Sequence, residues 1–477
     1  MIKDQRGDEP VKEQPSRSTS SAPNSSATKS TANGATLSDP SGTTAALVER
    51  QRQVLYPIVG KLQLYGDDPL AVERAAGMYL YDVAGNEYLD FFGGILTVSV
   101  GHCNEEVTEA MIAQLRKVQH TSTLFINEIT IRFAEKLAEL APGRLSASFF
   151  TSSGSEANET AIMTARMYTG RTDIIALRHG YSGRTQTAMS LTGQAPWRSG
   201  GVYDGYIKHV RNPYLYRRPA GMSEEAFVDL CIDDLEEVIA TTTEGRVAAF
   251  LAEPIQGVGG FIPAPADYLQ RAAEIIRAAG GLLIIDEVQT GWGRTGKHMF
   301  AIDHYDIEPD IMVFAKGVAN GYPLGATLTT PEIAAAVDHN SLSTYGGNPV
   351  AMATALATVE YIEKHDLVRN AEVRGARLRE RLEASRQRFG FVGDVRGMGL
   401  MQAIELVVPD SEQGGKAPAP DAARANAFVA AARRRGLLLG KGGMRGNTIR
   451  IAPPLIVSAA QIEQAADVID EALAEVA

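Results

Sequence analysis

The sequence predicts an α/β protein whose large domain is built on a mostly parallel sheet. Two short apolar runs, 282–285 (LLII) and 311–314 (IMVF), are rich in branched residues and lack polar alternation, the pattern of strands buried on both faces. A third run, 247–252, leads through an amphipathic stretch at 268–279 into the first, as a right-handed βαβ crossover requires. Each run is followed by a charged residue: Glu253, Asp286 and, after Ala315, Lys316. In an open α/β sheet the carboxyl ends of the strands border the ligand crevice, so these three side chains are expected at one cavity.

The elements before that core follow in order. Residues 1–44 are rich in Ser, Thr, Ala, Asn and Pro with charges of both signs, and read as a disordered extension. Asp4, Asp8, Glu9 and Glu13 argue against a transit peptide, and no apolar signal core is present, so a cytoplasmic protein is expected. Two strand-like pieces, 78–82 and 87–90, flank Ala84-Gly85-Asn86 as a hairpin. His102 reads as a satisfied structural histidine. Val107, Met111, Leu115 and Val118 recur at helical spacing, as do Ile129, Phe133, Leu137 and Leu140.

Phe149-Phe150 closes a strand, and the small-residue run from Thr151 to Glu159 opens a helix. Backbone N–H groups at a helix start lack intrahelical partners, which makes such a turn an anion site. A strand at 173–177 and a loop at 178–185 come next. Beyond 367 the pattern is helix (371–386), strand (399–406) and helix (422–435), with 411–420 as an exposed insertion.

Composition narrows the function. With 477 residues the chain can bury a large core, in two domains or in one large and one divided. Its 44% hydrophobic and 22% charged residues are ordinary for a soluble globular protein. A net charge of −11 without a basic block argues against a nucleic-acid partner; Arg433-Arg434-Arg435 is expected on a solvated helix face. Cys103 and Cys231 are too few and too far apart for a disulfide framework, and the histidines form no HxxxH or Cys/His cluster, so no metal is expected. No apolar run has membrane-spanning length, and no membrane partner is expected.

A buried lysine loses hydration, and the lowered pKa frees its amine to attack a carbonyl. Pyridoxal phosphate offers such a carbonyl, together with a ring nitrogen that must stay protonated to draw electrons. An aspartate about 4 Å from that nitrogen, at an effective dielectric of ~20, would hold the proton with about 4 kcal/mol. On Asp286 and Lys316 alone, a turn-capping aspartate and a surface lysine stay open as the alternative.

The longer pattern is more specific. Asp286-Glu287-Val288-Gln289-Thr290-Gly291, Gly293-Arg294-Thr295-Gly296, Lys316-Gly317 and Gly321-Tyr322-Pro323-Leu324-Gly325-Ala326 resemble, in order, the signature of class-III pyridoxal-phosphate-dependent aminotransferases. The resemblance runs from about Tyr56 to the C-terminus. It implies the fold-type-I architecture: a large cofactor domain at 101–366, and a small α+β domain built from 45–100 and 367–477.

The resemblance also implies roles. Lys316 and Asp286 are the catalytic pair. Ser153, Gly154 and Ser155 match the phosphate loop, and Glu253 and Gln289 match further cofactor contacts. Tyr181 takes the place of the aromatic that stacks on the ring, in a Tyr181-Ser182-Gly183-Arg184 loop where Ser182 replaces the family's usual histidine; His179 offers a second alignment. Thr344, in 343–349, matches a threonine that reaches the phosphate of a neighbouring subunit, which implies a homodimer or dimer of dimers with shared sites. Ile95, Arg184 and Arg450 match substrate-binding positions.

The implied reaction is transamination between an amino acid and a keto acid. Relatives that use ω-amino substrates with glutamate carry a glutamate where this chain has Val258. An arginine left uncompensated in a dry pocket is costly, so Val258 points to substrates that always bring a carboxylate to Arg450. The chain is therefore most similar to the alanine-glyoxylate and β-aminoisobutyrate-pyruvate group. The alternatives are a 4-aminobutyrate or ornithine type using 2-oxoglutarate, and a decarboxylase or racemase of the same fold. A non-catalytic cofactor-binding protein is disfavoured by the intact set of Lys316, Asp286, Tyr181 and phosphate loop.

Overall fold

The computed structural model describes residues 42–66, 68–411 and 417–477. The extension read at 1–44 lies outside the described residues up to residue 41. Thr44 already opens a helix, Thr44–Val54, because the Thr43 side chain accepts from Ala46 N at 3.3 Å and caps it. Residues 412–416 of the expected insertion also lie outside the described residues.

A seven-stranded sheet forms the centre, in the order Ala147–Thr151, Gly325–Thr329, Ile311–Phe314, Leu282–Asp286, Ala249–Ala252, Ile174–Leu177 and Ile207–Val210. Gly325–Thr329 runs antiparallel to both its neighbours, and the pairings from Ile311–Phe314 onward are parallel. The three diagnostic strands are buried along their whole length, as continuous apolar runs require. Asp286 is the last residue of its strand and so closes the apolar run. Helix Tyr268–Ala278 makes the crossover and buries Tyr268, Leu269, Ala272, Ala273 and Ile276, one face at helical spacing.

The two ends of the described chain meet in a second sheet. Tyr79–Asp82 and Glu87–Asp90 form the expected hairpin, with Asp82 Oδ1 accepting from Ala84 N at 3.0 Å and Asn86 N at 2.8 Å across the turn. Leu437–Leu438 then pairs parallel with Glu87–Asp90. A third sheet joins Val392–Met398, Met401–Leu406, Thr448–Ile451 and Gly440–Gly442.

Two strands have no clear signal in the sequence. Val72–Ala76 is mostly exposed and shows no alternation, and Val392–Met398 carries Gly393 and Gly397 within a ladder set by backbone pairing. His102 is structural as read, its Nε2 lying 2.8 Å from Asp90 Oδ2. Arg433 departs from the solvated face expected for it: its guanidinium lies over Tyr65, 4.7 Å from the ring centroid, and 3.1 Å from Asp68. Arg434 and Arg435 do lie outward, paired with Glu475 and Glu471. Among the described residues no helix is long and apolar enough to cross a membrane, and no cluster of three His, Cys, Asp or Glu is placed to hold a metal ion.

Candidate active site

Strand register brings the predicted groups together. Ile285 pairs with Ala252 and Asp286 with Val313, so Glu253, Asp286 and Lys316 emerge from the carboxyl ends of three adjacent parallel strands. Immediately after its strand the chain turns through Lys316 at φ 48°, a left-handed conformation that a non-glycine residue adopts at a cost. That strain is stored at the residue the sequence singles out.

The electrostatics form a compact set. Asp286 Oδ2 accepts from Asn158 Nδ2 at 2.9 Å and Oδ1 from Val288 N at 3.0 Å. Burial pushes its carboxyl above the ordinary range, against those hydrogen bonds and the charge of Lys316. Glu253 accepts from Tyr181 N at 3.0 Å and Gly257 N at 2.8 Å, yet burial and the charge of Asp286 push it up to about 8. Burial lowers the Lys316 amine below the usual lysine range, opposed by both carboxylates.

The helix Gly154–Thr169 starts beside these groups. Ser153 is its cap, accepting from Glu156 N at 3.3 Å. A Cβ on Gly154 would lie 3.4 Å from both Ala315 and Val288, so the helix start packs directly on the strand ends. Gly183, at φ 137°, lets the Tyr181 loop close on that start: a Cβ there would come within 2.3 Å of Ser155 Oγ. Ser155 Oγ also accepts from Arg184 N at 3.1 Å.

A cavity of about 180 Å³ results, and it gathers Gly154, Ser155, Tyr181, Arg184, Glu253, Asp286, Gln289 and Lys316. Ser153 stands just off its wall as the helix cap. Arg450 is buried alongside, its charge acting on Lys316 and Glu253. Burial pushes Arg450 down to about 10; Nη2 donates to Lys441 O at 3.0 Å, while Nε and Nη1 have no partner. Ile95 and Thr344 are exposed and do not line the cavity. Asn158, Ser182, Val288 and Ala315 do line it and were missed. Asn158 had a signal, since four residues after Gly154 it shares that residue's helix face.

A larger cavity of about 1070 Å³ borders His179, Tyr214, Arg217, Glu405 and Arg445. Its carboxylate is engaged internally, Glu405 pairing with both Arg217 and Arg396. The reactive groups lie in the smaller one.

The smaller cavity fits pyridoxal phosphate. It combines a small-residue helix start for a phosphate, a lysine amine, a carboxylate and a tyrosine ring, and the buried Gln289 Oε1 on its wall has no partner within the chain. Fold and cavity together define a pyridoxal-phosphate-dependent enzyme of fold type I. More narrowly, residues 64–473 match the family described as aminotransferase class-III, and the chain belongs to it. It is 42% identical over 388 residues to alanine–glyoxylate aminotransferase 2 homolog 2, mitochondrial, of Arabidopsis thaliana, covering 81% of this chain and 79% of that one. It is 35% identical to a probable 4-aminobutyrate aminotransferase of Bacillus subtilis, over 91% of this chain and 99% of the relative. Among solved structures, a thermostable (S)-enantioselective omega-transaminase from Thermomicrobium roseum superposes with a TM-score of 0.83 at 36% identity, covering 91% of this chain and 99% of that one. The chain is a transaminating enzyme that uses pyridoxal phosphate.

Proposed function

We propose that this aminotransferase exchanges the amino group of a small amino acid, alanine or a β-amino acid, with a keto acid such as glyoxylate or pyruvate. The observation that carries the reading is Arg450, a buried guanidinium with two unbonded nitrogens. Val258 approaches the same corner: its carbonyl accepts from Gly443 N at 3.0 Å, and a Cβ on the adjacent Gly442 would lie 2.8 Å from Arg450 Nε. Valine offers no carboxylate, so a substrate that always carries one relieves the buried charge. The similarity to the Arabidopsis alanine–glyoxylate relative supports the same substrates.

When bound, pyridoxal phosphate supplies a carbonyl carbon that bonds amines and a protonated ring that draws electrons from the substrate. Lys316 would hold it through its amine, and the same amine, when free, would move a proton at the substrate carbon bearing the amino group. Asp286 would hold the proton at the ring nitrogen, Tyr181 would offer the ring an aromatic contact, and Gln289 and Glu253 would complete its surroundings. Ser153, Gly154 and Ser155 would hold the phosphate at the helix start. Arg184 and Arg450 bind substrate carboxylates, and Ile95 borders the substrate. Thr344 serves the site of a neighbouring subunit, so the working form is a homodimer or a dimer of dimers.

Residues 101–366 form the cofactor domain in this reading, and 45–100 with 367–477 the small one; the pairing of Leu437–Leu438 with Glu87–Asp90 supports the second. The free cysteines Cys103 and Cys231 suit a reducing compartment, and we place the protein in the cytoplasm. Recovery in a mitochondrial fraction would overturn that placement.

One observation favours a second reading. The charge of Glu253 acts on Arg450, which gives an ω-amino substrate a route to compensation, and the Bacillus subtilis relative is named for 4-aminobutyrate. Comparing kcat/KM for alanine with glyoxylate or pyruvate against 4-aminobutyrate with 2-oxoglutarate decides between them. The first pair is expected to win; a tenfold preference for the second, about 1.4 kcal/mol in transition-state binding, would overturn the proposal.

A further inference from the structure

Asn158 is 1% exposed and sits one turn into the helix Gly154–Thr169. Its Nδ2 donates to Asp286 Oδ2 and to Ser182 O, both at 2.9 Å. Both partners only accept when Asp286 is ionised, so the amide has one sensible orientation: the nitrogen faces them, and turning it over would set three oxygens against one another. Oδ1 is left buried without a partner, a cost the structure tolerates at this position. Among the described residues no other side chain hydrogen-bonds Asp286, whose remaining bond comes from Val288 N. Ser182 supplies only its backbone carbonyl to this link.

The amide therefore ties together three parts of the cofactor cavity. The helix start carries it, the strand end carries Asp286, and the Tyr181–Ser182 loop receives its second N–H. We infer that Asn158 is a positioning residue that fixes the Asp286 carboxylate toward the cofactor's ring nitrogen and holds the Tyr181 loop in register with it. The inference rests on the reading that Asp286 serves that nitrogen.

The test uses cofactor-loaded Asn158→Ala and Asn158→Ser, alone and combined with Asp286→Ala, each checked for fold by circular dichroism and thermal unfolding. Three quantities are read: the dissociation constant of pyridoxal phosphate, the pH midpoint of the bound cofactor's absorbance, and the single-turnover rate with alanine alongside KM. Asn158→Ala is expected to weaken cofactor retention, shift the absorbance midpoint and slow the single turnover at least tenfold, with KM changed less than twofold. Asn158→Ser, which keeps one donor, should recover part of each loss. In the Asp286→Ala background the rate effect of Asn158→Ala should shrink, leaving only the part that comes through the Tyr181 loop.

A single-turnover rate within twofold of the parent in Asn158→Ala, with Asp286→Ala slow, would overturn this inference and leave the Asp286 reading intact. So would an undiminished effect in the Asp286→Ala background. Loss of the fold in both single variants would also overturn it, by making Asn158 a purely structural residue. A normal rate in Asp286→Ala itself would remove the Asp286 reading and the inference with it.

Discussion

The guanidinium of Arg450 lies over the ring of Phe92, 4.9 Å from its centroid, and uses that aromatic face instead of a carboxylate. Phe261 borders the same cation at 5.7 Å. Gly440 leaves room for this packing, because a Cβ there would fall within 2.2 Å of the Phe92 ring. A cation held this way is partly compensated, yet its Nε and Nη1 still have no hydrogen-bond partner within the chain.

Arg450→Met is therefore expected to lower kcat/KM for alanine by roughly 30-fold to 1000-fold, the ~2–4 kcal/mol of a desolvated carboxylate–arginine pair. Unfolding stability should be retained or slightly raised, since an unpaired buried charge is removed. Steady-state kinetics with alanine and with an amine lacking a carboxylate check this. Equal losses on both substrates would show that Arg450 acts on the cofactor site in general.

Glu287 follows Asp286 but has a separate task. It is fully buried, bonds the Thr290 hydroxyl and accepts from Ile302 N at 2.8 Å, capping the turn Ala301–Tyr305. Burial pushes its carboxyl up to about 7. A carboxyl raised on folding binds more protons in the folded state between its ordinary value and about 7, so its contribution is fully present at low pH and is lost as pH rises through that window. Glu287→Gln keeps an acceptor and removes the charge. Relative to the parent it should gain on the order of 3 kcal/mol of stability at pH 8 compared with pH 4.5. Urea unfolding at the two pH values checks this, and a pH-independent difference would refute it.

Leu124, Phe125 and Ile126 are 75%, 69% and 93% exposed, an apolar run that suits cover by a second copy of the chain. The segment adjoins the Thr344 loop, where Asn348 Nδ2 lies 3.2 Å from His120 Nδ1 and Tyr345 packs 5.4 Å from His120. Sedimentation should show a dimer or larger form. Mixing Lys316→Ala chains with Thr344→Asp chains should restore part of the activity, because some mixed sites combine an intact lysine with an intact threonine. Verified mixed dimers without recovery would count against a shared site.

What was legible in the sequence follows from how locally each signal is encoded. Glu253, Asp286 and Lys316 could be read because each closely follows an apolar run with the pattern of a buried strand. The phosphate-loop candidates were visible as a small-residue run at a helix start. The place of Asn158 on the helix face of Gly154 was readable but its role was not, because that role depends on partners 24 and 128 residues away that only the folded sheet brings near. The aromatic company of Arg450 was hidden for the same reason: Phe92 and Phe261 reach it from separate elements. Ile95 and Thr344 were proposed from resemblance alone, and both stand on the exposed surface of the single chain. Val72–Ala76 escaped notice because an exposed strand shows no alternation.

The central claim is that Lys316, strained at φ 48° at the end of a buried strand, bonds the cofactor. Borohydride reduction of the loaded enzyme, followed by proteolysis and mass spectrometry, tests it most directly by fixing the cofactor on the residue that holds it. The account predicts the reduced cofactor on Lys316 and none attached in Lys316→Ala, with that variant still folded; attachment at any other lysine of the parent enzyme would contradict it.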